Sequence, residues 1–308
     1  MSKESEFYDQ IAKDAKQSII QLVSEAGHGK SSSLRTIIYY CQEKHPDLVF
    51  KIMDVSLAWY HCAPVKYRQY VTQKKVNKGE VANIENCVYE MGSMTQDQQR
   101  AFVGEILKQD YMERYLIKLK DEKALKKLPF IIYVFEEANI YFGSYALRTN
   151  DQYSPIFQKY VSVGRNYRMR GFLVATAEVG EISPSLRRRS RRIYGRVESE
   201  GDLSRLRKKD KKLADYIASE IPRYTFVYYG SEAYGPVKIP DLVKNVPIDY
   251  VVPEKPQRVT VAPVMTTVPI PVARKSKPAS LGENLLCGAI GALVLIYVLN
   301  WLFTLIFS

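Results

Sequence analysis

The stretches FIIYVF (130–135) and GFLVA (171–175) are apolar at every position, and that constrains the fold more than any other feature. A strand with one face in water alternates apolar and polar residues. A strand buried on both faces does not, and such strands occur almost only in parallel sheets sandwiched between helices. Similar short runs stand at 18–23 (SIIQLV), 48–54 (LVFKIMD) and 86–91 (NCVYEM). Between the runs lie segments of helical character: 32–45, then 95–127 with Thr95 as N-cap, and 154–167 with Pro155 in the first turn. Two later runs, 193–197 (IYGRV) and 224–230 (YTFVYYG), are predicted to extend the sheet at an edge. The expectation is an α/β fold, a mainly parallel sheet between helices. With 46% hydrophobic residues in 308, the chain has the material for its core.

The turn after the first run reads SEAGHGKSS (24–32). It approaches the phosphate-loop spacing G-x-x-x-x-G-K-[ST], with Ser24 where the leading Gly belongs. Strand, Gly-rich turn, Gly-Lys-Ser and helix in that order are the context such a loop requires. Backbone N–H groups from Ala26, Gly27, His28, Gly29 and Lys30 through Ser31 and Ser32 would cradle phosphate at a helix N-terminus, where the dipole favours anions. Lys30 would reach the β- and γ-phosphates, and the Ser31 hydroxyl would ligate Mg²⁺. His28 is expected to present its backbone N–H, its ring turned to solvent or to a neighbouring subunit. ATP and Mg²⁺ are therefore the predicted cofactors.

About 105 residues downstream the strongest apolar run ends in Glu136 and Glu137. Two acids at a strand tip suit metal-dependent hydrolysis: Glu136 holds Mg²⁺ through a water, and Glu137 orients or deprotonates the attacking water. The alternative, a solvated loop, is common for two acids after a strand. Order and spacing relative to the Gly-Lys-Ser turn favour the catalytic reading.

The formal charge is +12, from 45 Lys and Arg against 33 Asp and Glu, which favours a polyanionic partner. It is concentrated in LRRRSRR (186–192) and RLRKKDKK (205–212). Dense basic runs contact phosphate without reading sequence. Arg187, Arg188, Arg189, Arg191 and Arg192 are the predicted DNA-contacting residues, against the plainer alternative of a solvated face. The four cysteines include no C-x-x-C pair, and three histidines give no zinc spacing; reduced, buried thiols are expected.

At the segment GRNYRMRGFLVATAEVGEISPSL the chain resembles the HerA/FtsK superfamily of P-loop DNA-pumping ATPases, whose members include viral genome-packaging enzymes. The resemblance spans roughly residues 15 to 240. It is carried by Glu136-Glu137-Ala138-Asn139, Gly164-Arg165-Asn166-Tyr167, Ala175-Thr176 and Ile182-Ser183-Pro184-Ser185-Leu186. It implies a RecA-like (ASCE) P-loop NTPase assembled as a homo-hexameric ring. It also implies a polar residue sensing the γ-phosphate, for which Thr176 or Glu178 are the candidates, because the family's Gln is Ala177 here. An arginine finger acting across the subunit interface is implied too, with Arg165 first and Arg168 or Arg170 next. The acidic pair is Glu-Glu where the family has Asp-Glu.

The prediction thus divides the chain into an ATPase domain (1–245), a spacer (246–280) and a membrane anchor (281–308). The spacer carries seven prolines between 247 and 278 and reads as extended and semi-rigid. Residues 285–307 are apolar apart from Asn300 and Thr304, long enough to cross a bilayer core as a helix. Arg274, Lys275 and Lys277 just before it predict a cytoplasmic N-terminal domain, on a host inner membrane or a virion's internal membrane. Together these point to a membrane-anchored motor that packages viral DNA into a membrane-containing capsid, with capsid or vertex proteins as further partners. The alternatives are a Zot-like ATPase driving extrusion of filamentous phage, and a degenerate NTPase serving as a membrane-tethered nucleic-acid scaffold.

Overall fold

The computed structural model describes residues 3–56, 59, 69–70, 86–147, 152–176 and 181–240. The chain divides into two units, Met1–Tyr250 and Val251–Ser308. The predicted spacer and apolar segment lie outside the described residues, as does Glu178. Among the described residues no helix is long and apolar enough to cross a membrane.

The first unit is built on one nine-stranded sheet. In chain order its strands are β1 (Ile20–Val23), β2 (Leu48–Asp54), β3 (Gln69–Tyr70), β4 (Cys87–Glu90), β5 (Phe130–Phe135), β6 (Met169–Ala175), β7 (Arg191–Tyr194), β8 (Thr225–Tyr229) and β9 (Ala233–Lys238). Their spatial order is β3-β4-β2-β5-β6-β1-β7-β8-β9. All pairings are parallel except β7 with β8 and β8 with β9. The strand β7 is therefore interior, between β1 and β8, and only β8 and β9 form the antiparallel edge.

The apolar runs behave as their composition requires. On β5, Ile132 and Val134 face one core while Ile131, Tyr133 and Phe135 face another. The first core is closed by α1 (Lys3–Ala15) and α2 (Lys30–Lys44), through Phe7, Ile11, Leu34, Ile37 and Ile38. The second is closed by α3 (Gln96–Lys120), α5 (Ala138–Phe142) and α6 (Ser154–Val163). A third cluster packs α8 (Glu200–Lys209) and α9 (Lys211–Ser219) against Val23, Tyr194 and Val227. Cys41 and Cys87 are buried and in no disulfide.

Two helical expectations are corrected. The stretch 95–127 is not one helix, because Asp121 ends α3 and its carboxylate then caps α4 (Glu122–Lys127) by accepting from Lys123 N–H at 2.8 Å. The stretch 154–167 leaves α6 at Val163 and tightens into a 3₁₀ turn over Gly164–Tyr167. The predicted Thr95 cap is present as a full capping box with Gln98. A buried ion pair locks α3 to the sheet: Lys51 Nζ lies 2.7 Å from Asp110, which also accepts from the Tyr133 hydroxyl.

Candidate active site

Parallel strands in register bring their C-terminal ends to one side of the sheet, where ligands of open α/β sheets bind. Val23 is level with Ala175 on β6 and with Tyr194 on β7, and Phe135 is level with Leu173. The Gly-Lys-Ser turn leaves β1 at this edge, and the two acids leave β5 two strands away. Only β6 separates them.

The loop is shaped by Gly27 and Gly29, at φ +76° and +96°, a region that residues with a Cβ rarely enter. Gly29 is the N-cap of α2 and supplies no side-chain cap, so the first-turn N–H groups of Lys30, Ser31 and Ser32 are left for an anion. The departure at Ser24 is accommodated from the neighbouring strand. The Ser24 hydroxyl is buried, and a Cβ at Gly195 would stand 2.5 Å from it. A side chain where the motif has none is matched by a glycine just past β7.

His28 differs from expectation. Its ring is buried, not turned outward: Nε2 donates to the Thr225 carbonyl at 3.2 Å and the ring packs edge-on against Phe226. Burial lowers its pKa, opposed by the Thr225 carbonyl and the Glu25 charge. Its amide donates to the Glu25 carbonyl at 3.4 Å, a long bond. The histidine thus ties the loop to the start of β8, a role that the local sequence does not signal.

Lys30 Nζ donates to the Ser24 carbonyl at 2.6 Å and the Glu25 carbonyl at 2.9 Å. Burial lowers its pKa, opposed by the charges of Glu181, Glu137 and Glu25. Glu137 starts α5 with its carboxylate exposed. Its pKa is raised by partial burial and by Glu181, and lowered by Lys30. Lys30, Glu137 and Glu181 therefore share one electrostatic neighbourhood at the loop. Glu181 itself accepts from the Thr176 N–H at 2.9 Å, which fixes it at the tip of β6. Thr176 is exposed there. Glu181 was missed because nothing in EVGEIS marks its fourth residue over its first.

Glu136 is buried at the tip of β5. Its carboxylate accepts from Ser56 Oγ at 2.8 Å and Trp59 Nε1 at 3.0 Å. Asp54, buried at the tip of β2, accepts from Trp59 N–H at 3.0 Å. Burial and the neighbouring Asp54 charge push Glu136 up to about 7, while Ser56, Trp59 and Arg35 of α2 favour its ionised form. Two carboxylates held together out of water, next to the helix that bears Ser31, suit a divalent cation, which takes oxygen ligands and relieves carboxylate repulsion. The signal for Asp54 was available, since LVFKIMD is another apolar run ending in an acid.

The arginines sort into two groups. Arg165 is exposed in the 3₁₀ turn that precedes β6, at the end of the sheet opposite its own loop; β6 alone separates them by about 20 Å. Arg168 lies over the Phe130 ring at 4.0 Å, and Arg170 is buried on β6. Among the predicted DNA contacts, Arg188 and Arg189 are exposed at the end of α7 (Pro184–Arg189), while Arg187 and Arg191 are half-buried. Arg192 is corrected: it is buried on β7, its guanidinium donating to the carbonyls of Ser190 and Arg187. Arg205 of α8 donates to the Arg187 carbonyl at 3.4 Å, which joins the two basic runs.

No protein-family model and no curated protein matches the chain. Solved structures do. The genome packaging NTPase B204 from Sulfolobus turreted icosahedral virus 2, in complex with sulfate, matches 72% of this chain and 98% of its own, at 14% identity and a TM-score of 0.51. The same protein in complex with ATP-gammaS matches with the same figures. The pCW3 conjugation coupling protein TcpA covers 74% of this chain and 62% of its own at 13% identity, with a TM-score of only 0.42. The sheet order, the loop at the tip of β1 and the acids at the tip of β5 give this chain a P-loop ATPase fold, which it shares with the genome packaging NTPase B204.

Proposed function

We propose that the chain is an ATP-hydrolysing motor that translocates viral DNA. The observation carrying this is the placement of the Gly29-Lys30-Ser31 loop after β1 and of Glu136 and Glu137 after β5, with β6 between them, on a sheet that shares its fold with a genome-packaging NTPase. The first turn of α2 and the loop amides bind the triphosphate, and Lys30 exchanges the Ser24 and Glu25 carbonyls for phosphate oxygens. Glu137, with its pKa raised, accepts a proton from the attacking water. Glu181 holds Thr176 beside it and senses whether Lys30 is engaged.

Ser31 and Glu136, with Asp54 behind it, would hold Mg²⁺. When bound, the ion neutralises charge on the β- and γ-phosphate oxygens. The Trp59 and Ser56 bonds orient the Glu136 carboxylate for that role.

DNA lies on the opposite end of the sheet, on Arg188, Arg189 and the exposed basic residues of α8 and α9. Arg165 acts on a neighbouring subunit's nucleotide in a ring, since it is exposed and remote from its own loop. Residues 285–307 anchor the motor to a membrane, with the proline-rich spacer between, and genome packaging into a membrane-containing particle is the process that this combination fits.

The test is ATP turnover by the full chain with and without DNA, beside Lys30→Ala and Glu137→Gln. Turnover stimulated by DNA and lost in both variants is expected; turnover that persists in both overturns the assignment. Co-flotation with anionic liposomes, lost on deleting 285–307, tests the anchor.

A further inference from the structure

Tyr224 is one of two non-glycine residues at positive φ among the described residues, at +62°. A tyrosine pays for that conformation, and such residues persist where the surroundings hold them, often at ligand clamps. The surroundings here are explicit. Tyr224 N–H donates to the His28 carbonyl at 3.2 Å, and the Tyr224 carbonyl accepts from Ile239 N–H at 2.8 Å. Those two bonds turn the ring onto the phosphate loop: a Cβ on Gly29 would run into its Cδ1 and Cε1. The ring keeps partial exposure, and the exposed Arg223 guanidinium lies 4.8 Å from its centroid. Thr36 of α2 donates to the Pro240 carbonyl at 2.8 Å, so the stretch after β9 that bonds Tyr224 through Ile239 also lies against the second turn of α2.

The sheet order gives the ring a direction. Glu137 and Glu181 mark the hydrolysed end of a triphosphate, and they stand at the tips of β5 and β6, on one side of β1. Tyr224 precedes β8, on the other side of β1, and at the same end of the sheet because β8 runs antiparallel to β7. A triphosphate laid across the loop with its γ-phosphate at the acids carries its nucleoside toward Tyr224.

We propose that Tyr224, with Arg223, is the nucleobase platform of this site: the base of the bound nucleoside triphosphate stacks on the Tyr224 ring and the Arg223 guanidinium. The proposal rests on the nucleotide-binding reading of the loop. An aromatic ring and a guanidinium plane are what a base face packs against.

The experiment measures Kd for ATP and for inorganic tripolyphosphate by calorimetry on the full chain, in the wild type, Tyr224→Asn, Tyr224→Phe and Lys30→Ala. Asparagine tolerates positive φ, so it removes the ring without adding backbone strain. Tyr224→Asn is expected to weaken ATP by about 5- to 150-fold, the range for losing one stacked base, and to leave tripolyphosphate unchanged. Tyr224→Phe is expected to bind ATP as the wild type does. Lys30→Ala is expected to lose both ligands. ATP binding unchanged in Tyr224→Asn overturns the proposal while leaving the nucleotide site intact. Parallel weakening of ATP and tripolyphosphate overturns it too, because the ring then only props the loop. A wild type that binds neither ligand brings down the nucleotide-site reading, and the platform with it.

Discussion

Lys30 Nζ lies 2.6 Å from the Ser24 carbonyl and 2.9 Å from that of Glu25, so the lysine folds back on its own loop. Two of the three ammonium donors are thereby committed to the loop's own carbonyls. Lys30→Met should abolish ATP binding. It should also lower stability by about 1–3 kcal/mol, the cost of charge-assisted bonds lost from half-buried acceptors. That is a fall of roughly 2–12 °C in Tm for a domain of this size. Calorimetry and a thermal melt check both. A variant that melts like the wild type would mean that the lysine is held by phosphate alone.

Glu137 and Glu181 differ in what they can lose. Glu137→Gln keeps the side-chain shape but cannot accept a proton, so turnover should fall by about 10²- to 10⁴-fold with ATP binding retained. Glu181→Gln still accepts the Thr176 N–H through its amide oxygen, so the tip of β6 stays in place and only the charge is gone. Burial and Glu181 raise the Glu137 pKa. Removing the Glu181 charge therefore lowers it, Glu137 is deprotonated at lower pH, and the acid limb of the kcat–pH profile moves to lower pH. A profile shifted the other way would sink the placement of these two acids.

Much of this arrangement was legible beforehand, for a physical reason. Doubly buried strands write themselves as apolar runs; Glu136 and Glu137 directly follow one run, and the turn bearing Lys30 follows another. The 3–15 helix carries its signal in Phe7, Tyr8, Ile11, Ala12 and Ala15 at helical spacing, among mostly polar residues. The contacts made across the fold were not legible. His28 reaches Thr225 and Lys51 reaches Asp110, and no local pattern announces a partner dozens or hundreds of residues away. The run LRRRSRR misled because composition does not say where the helix ends and the strand begins: Arg191 and Arg192 begin β7, an interior strand, and Arg192 is buried there.

The pairing of Ser24 with Gly195 predicts a non-additive double variant. A methyl at Gly195 meets Ser24 Oγ at 2.5 Å, His28 Cδ2 at 2.6 Å and Phe226 Cε1 at 2.8 Å. Gly195→Ala should push the loop off the sheet and cost about 1–3 kcal/mol, as overpacking does. Ser24→Gly alone should be near neutral, since it removes a buried hydroxyl without a partner. Together they should recover part of the loss, because one of the three contacts is relieved. Denaturant melts on the four proteins give the coupling energy, expected at 0.5 kcal/mol or more, about the lower bound for residues in contact. Strict additivity would show that Gly195 is not where Ser24 finds its room.

The basic run places exposed and buried arginines along a single stretch of chain, so the proposed DNA contact can be separated from folding. Arg188 and Arg189 are exposed and their loss touches no packing, whereas Arg192 is buried and satisfies the carbonyls that end α7. Arg188→Glu with Arg189→Glu should leave Tm within about 1–2 °C, as surface changes do. The same pair should weaken DNA binding and flatten its dependence on salt, because fewer counterions are released. Arg192→Ala should do the reverse, costing about 1–3 kcal/mol of stability by removing a donor from the Ser190 and Arg187 carbonyls and emptying the space of the side chain. Salt titrations of DNA affinity beside thermal melts decide it. Equal loss of affinity in both proteins at temperatures where both are folded would mean that the exposed arginines do not carry the DNA.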